Sequence, residues 1–480
     1  MKNWKKNQTW ANQTTVRVAM VALVIFLPAA NAAQKKDVAT TWSEFARKSQ
    51  SDDFKILPLL AITQALEAPD LPAGEKKKLI GLATRLAAHP GTSPAATALA
   101  VEIMKDNPLR DWQWFAGLAD LEQGNARTAT EHFSMVRKGD RNFARARYQI
   151  AVNAYNNKHN IEAEAGFKEI LAATPAPDND LQDLTKLGLG RLWYEEKKFQ
   201  SAAAAYRTVS RKGRYFQTAL FEQSWSFFMA GYPNHALGAI HGVESPFFAE
   251  SFTPEATLLR SMILYWMCLY HDSDQALQEF IARHAEPIDQ LERFLARQQL
   301  NPQSAWELFE NMLAGVSSES LSIPRSILMT AANSDRLVPF RIALAQATEE
   351  MRMLESGKLQ GISIGPEKAR AQSLMQTHLK KLRLDTGKSF IVALADLRSQ
   401  YEQLRAQADF LYVELLTSEK DKILGKEHLS INKFGGNQAT GKKPAGWGKG
   451  QLAWAPNSKQ EYWWDEVGFY IDPAKSACIK

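Results

Sequence analysis

The stretch GRLWYEEKKFQSAAAAY, residues 190–206, decides the fold of this chain. In it the small side chain of Ala202 is followed four positions later by the bulky side chain of Tyr206. Residues at this spacing share one face of a helix, so the small side chain lets a neighbouring helix approach and the large one fills the space beside it. A small residue and a bulky one return at the equivalent positions 34 residues later, as Ala236 and Ile240. Before a longer loop, Ala129 and Phe133 likewise return 34 residues later as Ala163 and Phe167.

This interval corresponds to a period of about 34 residues, which is typical of tetratricopeptide repeats (TPRs), helix–turn–helix units that stack into a solenoid. The quoted stretch resembles this class further, with Gly, aromatic, aromatic, Ala and aromatic at the characteristic positions, here Gly190, Trp193, Phe199, Ala202 and Tyr206. We therefore predict an all-α, TPR-type α-solenoid with five units between residues 110 and 290. The helices are expected at 112–121 and 126–136, at 145–155 and 161–171, around residues 190 and 202, at the two ends of 217–242, and from Thr253 to a second helix that carries Ala276 and Phe280.

Residues 1–32 have the features of a secretory signal peptide. Four basic residues precede or open the apolar run 18–27, and Ala30-Asn31-Ala32 fits a small-x-small cleavage site. We expect cleavage after Ala32 and a periplasmic mature chain. An uncleaved N-terminal anchor is the alternative.

The charge of the chain excludes one class of partner. Of the 58 Lys and Arg residues, four lie in the leader, which leaves the mature chain nearly balanced against its 52 acidic residues. A nucleic-acid-binding face needs a much stronger clustered positive charge, so no nucleic-acid partner is expected. Nothing after the leader approaches the ~20 apolar residues of a membrane-spanning helix. Residues 33–109 have helical patterns with proline stops and are predicted to form a non-repeating N-terminal cap.

Beyond residue 290 the apolar period changes to that of a coiled coil. Two heptad seams, at 337–354 and 390–415, flank a turn-forming segment at 358–366. They predict, within 291–425, long helices that form an antiparallel hairpin, with the second helix either continuous or interrupted at Gly387. That helix is longer than the first one, so the part that extends beyond it, its surplus, must pack on the repeats or on another protein. An intrachain core and a partner-binding or dimerising coil are both compatible with the pattern.

The ending, 426–480, combines a Gly- and Lys-rich loop with an irregular aromatic tail. Trp447, Trp454, Trp463 and Trp464 lie close together in this ending, and a disordered segment would be poor in aromatic residues. We expect Trp454, Tyr462, Trp463 and Trp464 to dock on a surface, either of the repeats or of a partner. The two cysteines are interpreted as a buried thiol at Cys268 and a terminal Cys478 that is free or paired elsewhere, with a bridge between them as the alternative.

The sequence offers no catalytic constellation. Asp385-Thr386-Gly387-Lys388-Ser389 ends like a phosphate-binding loop, but the first glycine of that motif is missing and no strand precedes it. The histidines have no metal-ligand spacing. We therefore expect no enzyme, no metal and no cofactor.

The first helices of such repeats line the concave face of the solenoid. Alternate positions on them predict an aromatic groove with an occasional charge, the composition of interface hot spots, suited to an apolar helix or an extended peptide. Packing of these rings against neighbouring repeats or under the hairpin is the alternative. The predicted groove residues are Trp114, Tyr148, Tyr155, Arg191, Tyr194, Phe221, Trp225, Phe228 and Tyr265.

A narrower resemblance comes from SPFF at 245–248, FTPEA at 252–256, EYWWDEVGFY at 461–470 and the late Cys478. These motifs resemble the exported TPR proteins of the adventurous-gliding-motility type, found in gliding and predatory bacteria. The resemblance implies a periplasmic scaffold that contacts other envelope proteins through the groove and the hairpin, with an association with the outer membrane as a further expectation. The main alternative is an assembly or delivery factor for outer-membrane proteins or cell-wall enzymes; a glycan enzyme with an attached repeat domain is a third.

Overall fold

A computed structural model describes residues 41–49, 54–68, 71–87, 99–101, 103, 113–122, 124–140, 142–173, 176–296, 301–316, 323–356, 366–424, 452–454 and 462–478. The predicted leader, most of the hairpin turn, and the Gly/Lys loop with Trp447 lie outside the described residues.

The predicted all-α fold class is confirmed, and five pairs of helices follow one another along the chain. We number them as repeats one to five. Their helices are Gln113–Glu122 and Ala126–Ser134, Phe143–Asn156 and Asn160–Leu171, Asn179–Glu195 and Phe199–Arg207, Phe216–Met229 and Pro233–Val243, and Pro254–Trp266 and Tyr270–Leu295.

Further helices precede and follow the repeats. Before them lie a helix at 41–48, Ile56–Leu66, Ala73–Ala87 and helical residues at 99–101 and 103. After them come Pro302–Leu313, Arg325–Ala332, Val338–Glu355 and the long helix Pro366–Ile423, and then the two short strands Leu452–Ala453 and Tyr470–Ile471.

The small–bulky pairs pack as their spacing predicts. Each alanine and each partner residue of the four quoted pairs is at most 3% exposed. The glycine at the characteristic position of the repeat, Gly190, is explained by packing. A Cβ there would lie 2.6 Å from the ring of Tyr206. The first helix of repeat three therefore meets the second at a distance that only glycine permits.

The chain folds as two compact units. The first contains the described residues up to Gln149, with Gln298–Gly315 and Ala331–Ala393. Within it Glu350, 1% exposed, accepts hydrogen bonds from the backbone N–H groups of Lys55, Ile56 and Leu57 at 2.8–3.0 Å. These N–H groups belong to the unsatisfied first turn of helix Ile56–Leu66, so a side chain distant in sequence caps this helix.

The first half of the long helix packs inside the same unit. It continues through Gly387 without the interruption considered above. A Cβ at Gly387 would lie 1.9 Å from the carbonyl oxygen of Pro302, so the glycine serves a close helix contact rather than a break. Three positions on, the ring of Phe390 meets Phe309 edge to face at 5.1 Å between centroids.

The hairpin helices have their ends in contact, since Lys368 Nζ donates to the carbonyl oxygen of Glu355 at 3.2 Å. Both predicted seams point inward. In the first, Phe340, Leu344, Ala347, Met351 and Leu354 are buried, and in the second Phe390, Leu394, Tyr401, Leu404, Ala408 and Leu415 are buried.

The second unit contains Ile150–Arg297, Val316–Thr330 and the described residues from Leu394 onward. Here the surplus of the long helix packs on repeat five, as one of the two predicted alternatives requires. The ring of Tyr401 stacks on Phe280 at 5.6 Å, and the hydroxyl of Tyr265 lies 3.0 Å from that of Ser418.

The tail also packs on the repeats within this unit. Its two strands are parallel, with Leu452 opposite Tyr470, and the second strand lies against the second helix of repeat four. Gly238 makes this approach possible, because a Cβ there would lie 1.9 Å from the carbonyl oxygen of Tyr470. Of the two surfaces considered for the tail, the repeats are the one on which it packs.

The interpretation of the two cysteines as unpaired with each other is wrong. Cys268 and Cys478 form a disulfide with a Cα–Cα distance of 5.0 Å. The reason is the folded-back tail, since the N–H of Ala477 donates to the carbonyl oxygen of Met267 at 2.9 Å and so places Cys478 beside repeat five.

Candidate functional site

The first helix of repeat four has two distinct sides in the second unit. Phe216, Leu220 and Phe227 are buried in the core that includes the tail. Phe221, Trp225 and Phe228 lie about a third of a turn further round the helix, where they pack against the same core and are only partly buried. Part of each of these three rings therefore stays accessible after the tail has docked.

This surface extends to repeat five. The ring of Trp225 lies 6.4 Å from that of Phe228, which in turn lies 6.3 Å from Trp266 in the next first helix. Trp266 was missed by the sequence reasoning, although it follows Phe228 by slightly more than one repeat length and so takes a similar place in the next repeat. Such edge-to-face ring sets supply rigid apolar contact area.

A charged pair borders the aromatic residues on the side of repeat three. Arg191 and Glu222 form a two-point ion pair, with Nε and Nη2 donating to the carboxylate at 3.0 and 2.6 Å. Both side chains are largely buried, at 25% and 13% exposure, which makes the pair stronger than one in bulk water. The predicted groove arginine is therefore held in place by an acid that the sequence reasoning did not select.

Glu255 adds a second acid at the start of the first helix of repeat five. Burial raises the pKa of this carboxyl to about 7, and the negative charge of Glu222 contributes to the increase. Because Arg191 already neutralises Glu222, Glu255 gives the surface excess negative charge when it ionises. We call the set Arg191, Phe221, Glu222, Trp225, Phe228, Glu255 and Trp266 the inner face. The predicted groove residue Tyr194 packs instead on Phe199 at 5.2 Å between ring centroids.

The remaining predicted groove residues have other surroundings. Tyr155 is 8% exposed, and its hydroxyl donates to Glu195 at 2.5 Å. Burial and this acid raise the pKa of Tyr155. The hydroxyl of Tyr265 forms a hydrogen bond with that of Ser418 in the long helix, as described above. In the first unit, Tyr148 is 8% exposed and Trp114 packs on Phe133 at 5.3 Å.

The four tail residues divide into two pairs. Trp454 is 6% exposed and stacks on His241 at 4.7 Å, with Tyr462 beside it at 4.8 Å. Trp463 and Trp464 stay 58% and 38% exposed, and Trp464 touches Phe247 at 5.2 Å. The first pair is thus part of the core, whereas the second remains on the surface.

Among the described residues no group of three or more His, Cys, Asp and Glu side chains could hold a metal ion. In this part of the chain no helix combines the length and the apolar character needed to cross a bilayer.

No family model matches the chain. No curated protein matches it either. Among solved structures, it is similar to the Rap conjugation gene regulator of the plasmid pLS20 in complex with the Phr* peptide. The two chains are 12% identical, the match covers 73% of this chain and 96% of that one, and the TM-score is 0.29. A likeness at this level assigns neither a family nor a function.

Proposed function

We propose that the protein is a non-enzymatic, exported TPR scaffold that binds a segment of a partner protein on its inner face. The observation that carries this proposal is the partly exposed set of aromatic rings on the first helices of repeats four and five, bordered by Arg191, Glu222 and Glu255. Aromatic anchors beside a buried charged pair are typical of binding hot spots. In its ionised form Glu255 favours a partner segment that adds a basic side chain to apolar ones.

Export is the second part of the proposal. The signal-like leader supports it, and so does the Cys268–Cys478 disulfide, because disulfides persist in oxidising compartments and are rare in the cytosol. N-terminal sequencing of the protein from fractionated cells tests this. The expected chain begins at Ala33, is periplasmic and is oxidised; an intact leader with two free thiols would contradict export.

The complex served by this scaffold is the third part. The motifs at 245–256 and 461–470 resemble those of the adventurous-gliding-motility type, so motility machinery of the cell envelope is our first candidate. An assembly or delivery factor for outer-membrane proteins or cell-wall enzymes is the second, since the inner face would suit a client segment equally well.

Photo-crosslinking in intact cells tests the binding face. A photoreactive residue at Trp225 should capture a defined partner, and the variant Phe228→Ala should weaken that capture. The matched control is the same photoreactive residue at Ile161, which is 87% exposed on the second helix of repeat two and outside the inner face. Equal capture from both positions, or none from Trp225, would overturn the proposed face. Motility proteins in the product favour the first candidate, and barrel-assembly proteins favour the second.

A further inference from the structure

The last turns of the long helix are apolar on two sides. One side carries the buried seam residues Leu404, Ala408 and Leu415, which lie in the second unit. The other side exposes large apolar side chains to solvent. Those exposed residues are Phe410, Tyr412, Val413, Leu416, Ile423 and Leu424.

The exposed side has the spacing of a second coiled-coil seam. The residues Asp409, Val413, Leu416, Lys420 and Ile423 are separated by 4, 3, 4 and 3 positions, and all are exposed. At about 100° per residue this seam lies about 120° around the helix from the buried one. A heptad seam left open over four turns is the form in which one helix recognises another.

We propose that a second copy of this chain covers this seam, with the two helices antiparallel. The charges on the seam select this occupant. Asp409 and Lys420 lie equally far from the midpoint between residues 414 and 415, as do Val413 and Leu416. An antiparallel pair centred there sets each Asp409 against the other copy's lysine and each Val413 against the other copy's leucine.

A parallel pair would have the opposite effect. It would place Asp409 against Asp409 and Lys420 against Lys420, and like charges at a seam are destabilising. Both side chains are exposed to solvent, so a second copy can reach them. The interface is therefore self-complementary about a two-fold axis, as closed dimers require.

Sedimentation velocity of the oxidised mature chain measures the proposed dimer directly. The expected mass at micromolar concentration is twice that of one chain, and Leu416→Glu should return it to the monomer mass. Ile342→Glu is the matched control, because Ile342 is as exposed as Leu416, at 48% and 47%, but lies on another helix. A monomer at every concentration overturns the proposal, as does a dimer that Leu416→Glu leaves intact.

Charge reversal tests the orientation without touching an apolar residue. Asp409→Lys and Lys420→Asp, each alone, should weaken self-association by about tenfold or more, because each creates like-charge contacts at both ends. The double variant Asp409→Lys/Lys420→Asp should restore it. Loss of association in the double variant, or single variants that associate like the wild type, would contradict the antiparallel arrangement. Since the readout is mass, failure here leaves the proposed partner binding untouched.

Discussion

At the scale of single residues, Glu350 shows how a carboxylate can replace a local helix cap. Helix Ile56–Leu66 has no capping side chain of its own at Lys55, and its first N–H groups point instead to a residue almost 300 positions away. The apolar sequence of the helix gives it no acidic first turn. The charge that complements its dipole therefore has to come from elsewhere in the first unit.

We expect Glu350→Gln to destabilise the protein by about 1–3 kcal/mol, because a neutral amide offers one acceptor oxygen where the carboxylate offers two to buried N–H groups. The measurement is urea-induced unfolding followed by circular dichroism. Glu349→Gln is the control, since Glu349 is exposed and pairs with Arg352 on the surface. Its substitution should change the free energy of unfolding by less than about 0.5 kcal/mol. Equal effects of the two variants would show that the cap is energetically unimportant.

A second residue, His284, makes the stability of the second unit sensitive to acid. It is 6% exposed, lies edge-on to Phe252 at 5.2 Å, and its Nε2 has no hydrogen-bond partner among the described residues. Burial lowers its pKa from 6.5 to about 4. Because the folded state binds the proton less well than the unfolded state, stability is lost as the pH falls from about 6.5 to about 4.

The expected loss from His284 is of the order of 3 kcal/mol at pH 4. His284→Phe should remove this share of the pH dependence, whereas replacing the exposed His159 by Gln should keep it. Unfolding midpoints measured between pH 4 and pH 8 give the comparison. His378, also buried and with a pKa lowered to about 4, leaves a residual slope in both variants. A His284→Phe variant with the full wild-type slope would refute the assignment.

At the scale of elements, close contacts that depend on glycine fix where helices and strands meet. Gly238 lies within the second helix of repeat four, where alanine would normally be the better residue by about 1 kcal/mol. The backbone of Tyr470 occupies the space that a side chain at this position would fill. The helix is therefore intrinsically less stable with glycine here, but it can contact the tail.

Gly238→Ala should therefore destabilise the protein by about 1–3 kcal/mol, because the added Cβ forces the tail backbone to move. Gly242→Ala on the same helix is the control. Its Cβ would find its nearest neighbour, Val467 Cγ1, at 3.4 Å, an ordinary contact, so we expect little change or a small gain. Thermal unfolding and the rate of proteolysis within the tail measure both variants. If the two glycines tolerate alanine equally, the tail does not seat on this helix as described.

At the scale of the whole molecule, the parts that could be predicted are those with local causes. The repeat interval and the heptad seams each depend on side chains a few positions apart on one helix, so the repeats and the long helix follow from sequence alone. The same reasoning selected Arg191, Trp225 and Phe228, whose role in binding stays a prediction.

The parts that could not be predicted depend on contacts between distant residues. Nothing in the local sequence distinguishes Gly238 from another helical glycine, because its role depends on contact with Tyr470. The disulfide joins Cys268 and Cys478, which are 210 residues apart. Glu222 and Glu255 resemble solvated acids until the repeats stack and bury them. The Trp-rich tail was recognised as a docking element, but its division into a buried Trp454 and an exposed Trp463 follows from which ring faces the repeats.

The tail is expected to stabilise the whole second unit by its packing as well as by its disulfide. Trp454, Val467 and Tyr470 are at most 6% exposed and belong to the core of repeat four. Deleting residues 452–480 in a chain that also carries Cys268→Ser removes both this packing and the disulfide. The full-length double variant Cys268→Ser/Cys478→Ser removes the disulfide alone, at an expected cost of about 2–4 kcal/mol. Burial of three large side chains is worth roughly 1.5–3 kcal/mol each, so the truncated chain should melt well below the double variant. Equal melting temperatures would mean that the tail stabilises the fold only through its covalent link, and its aromatic residues would then be free to serve a partner.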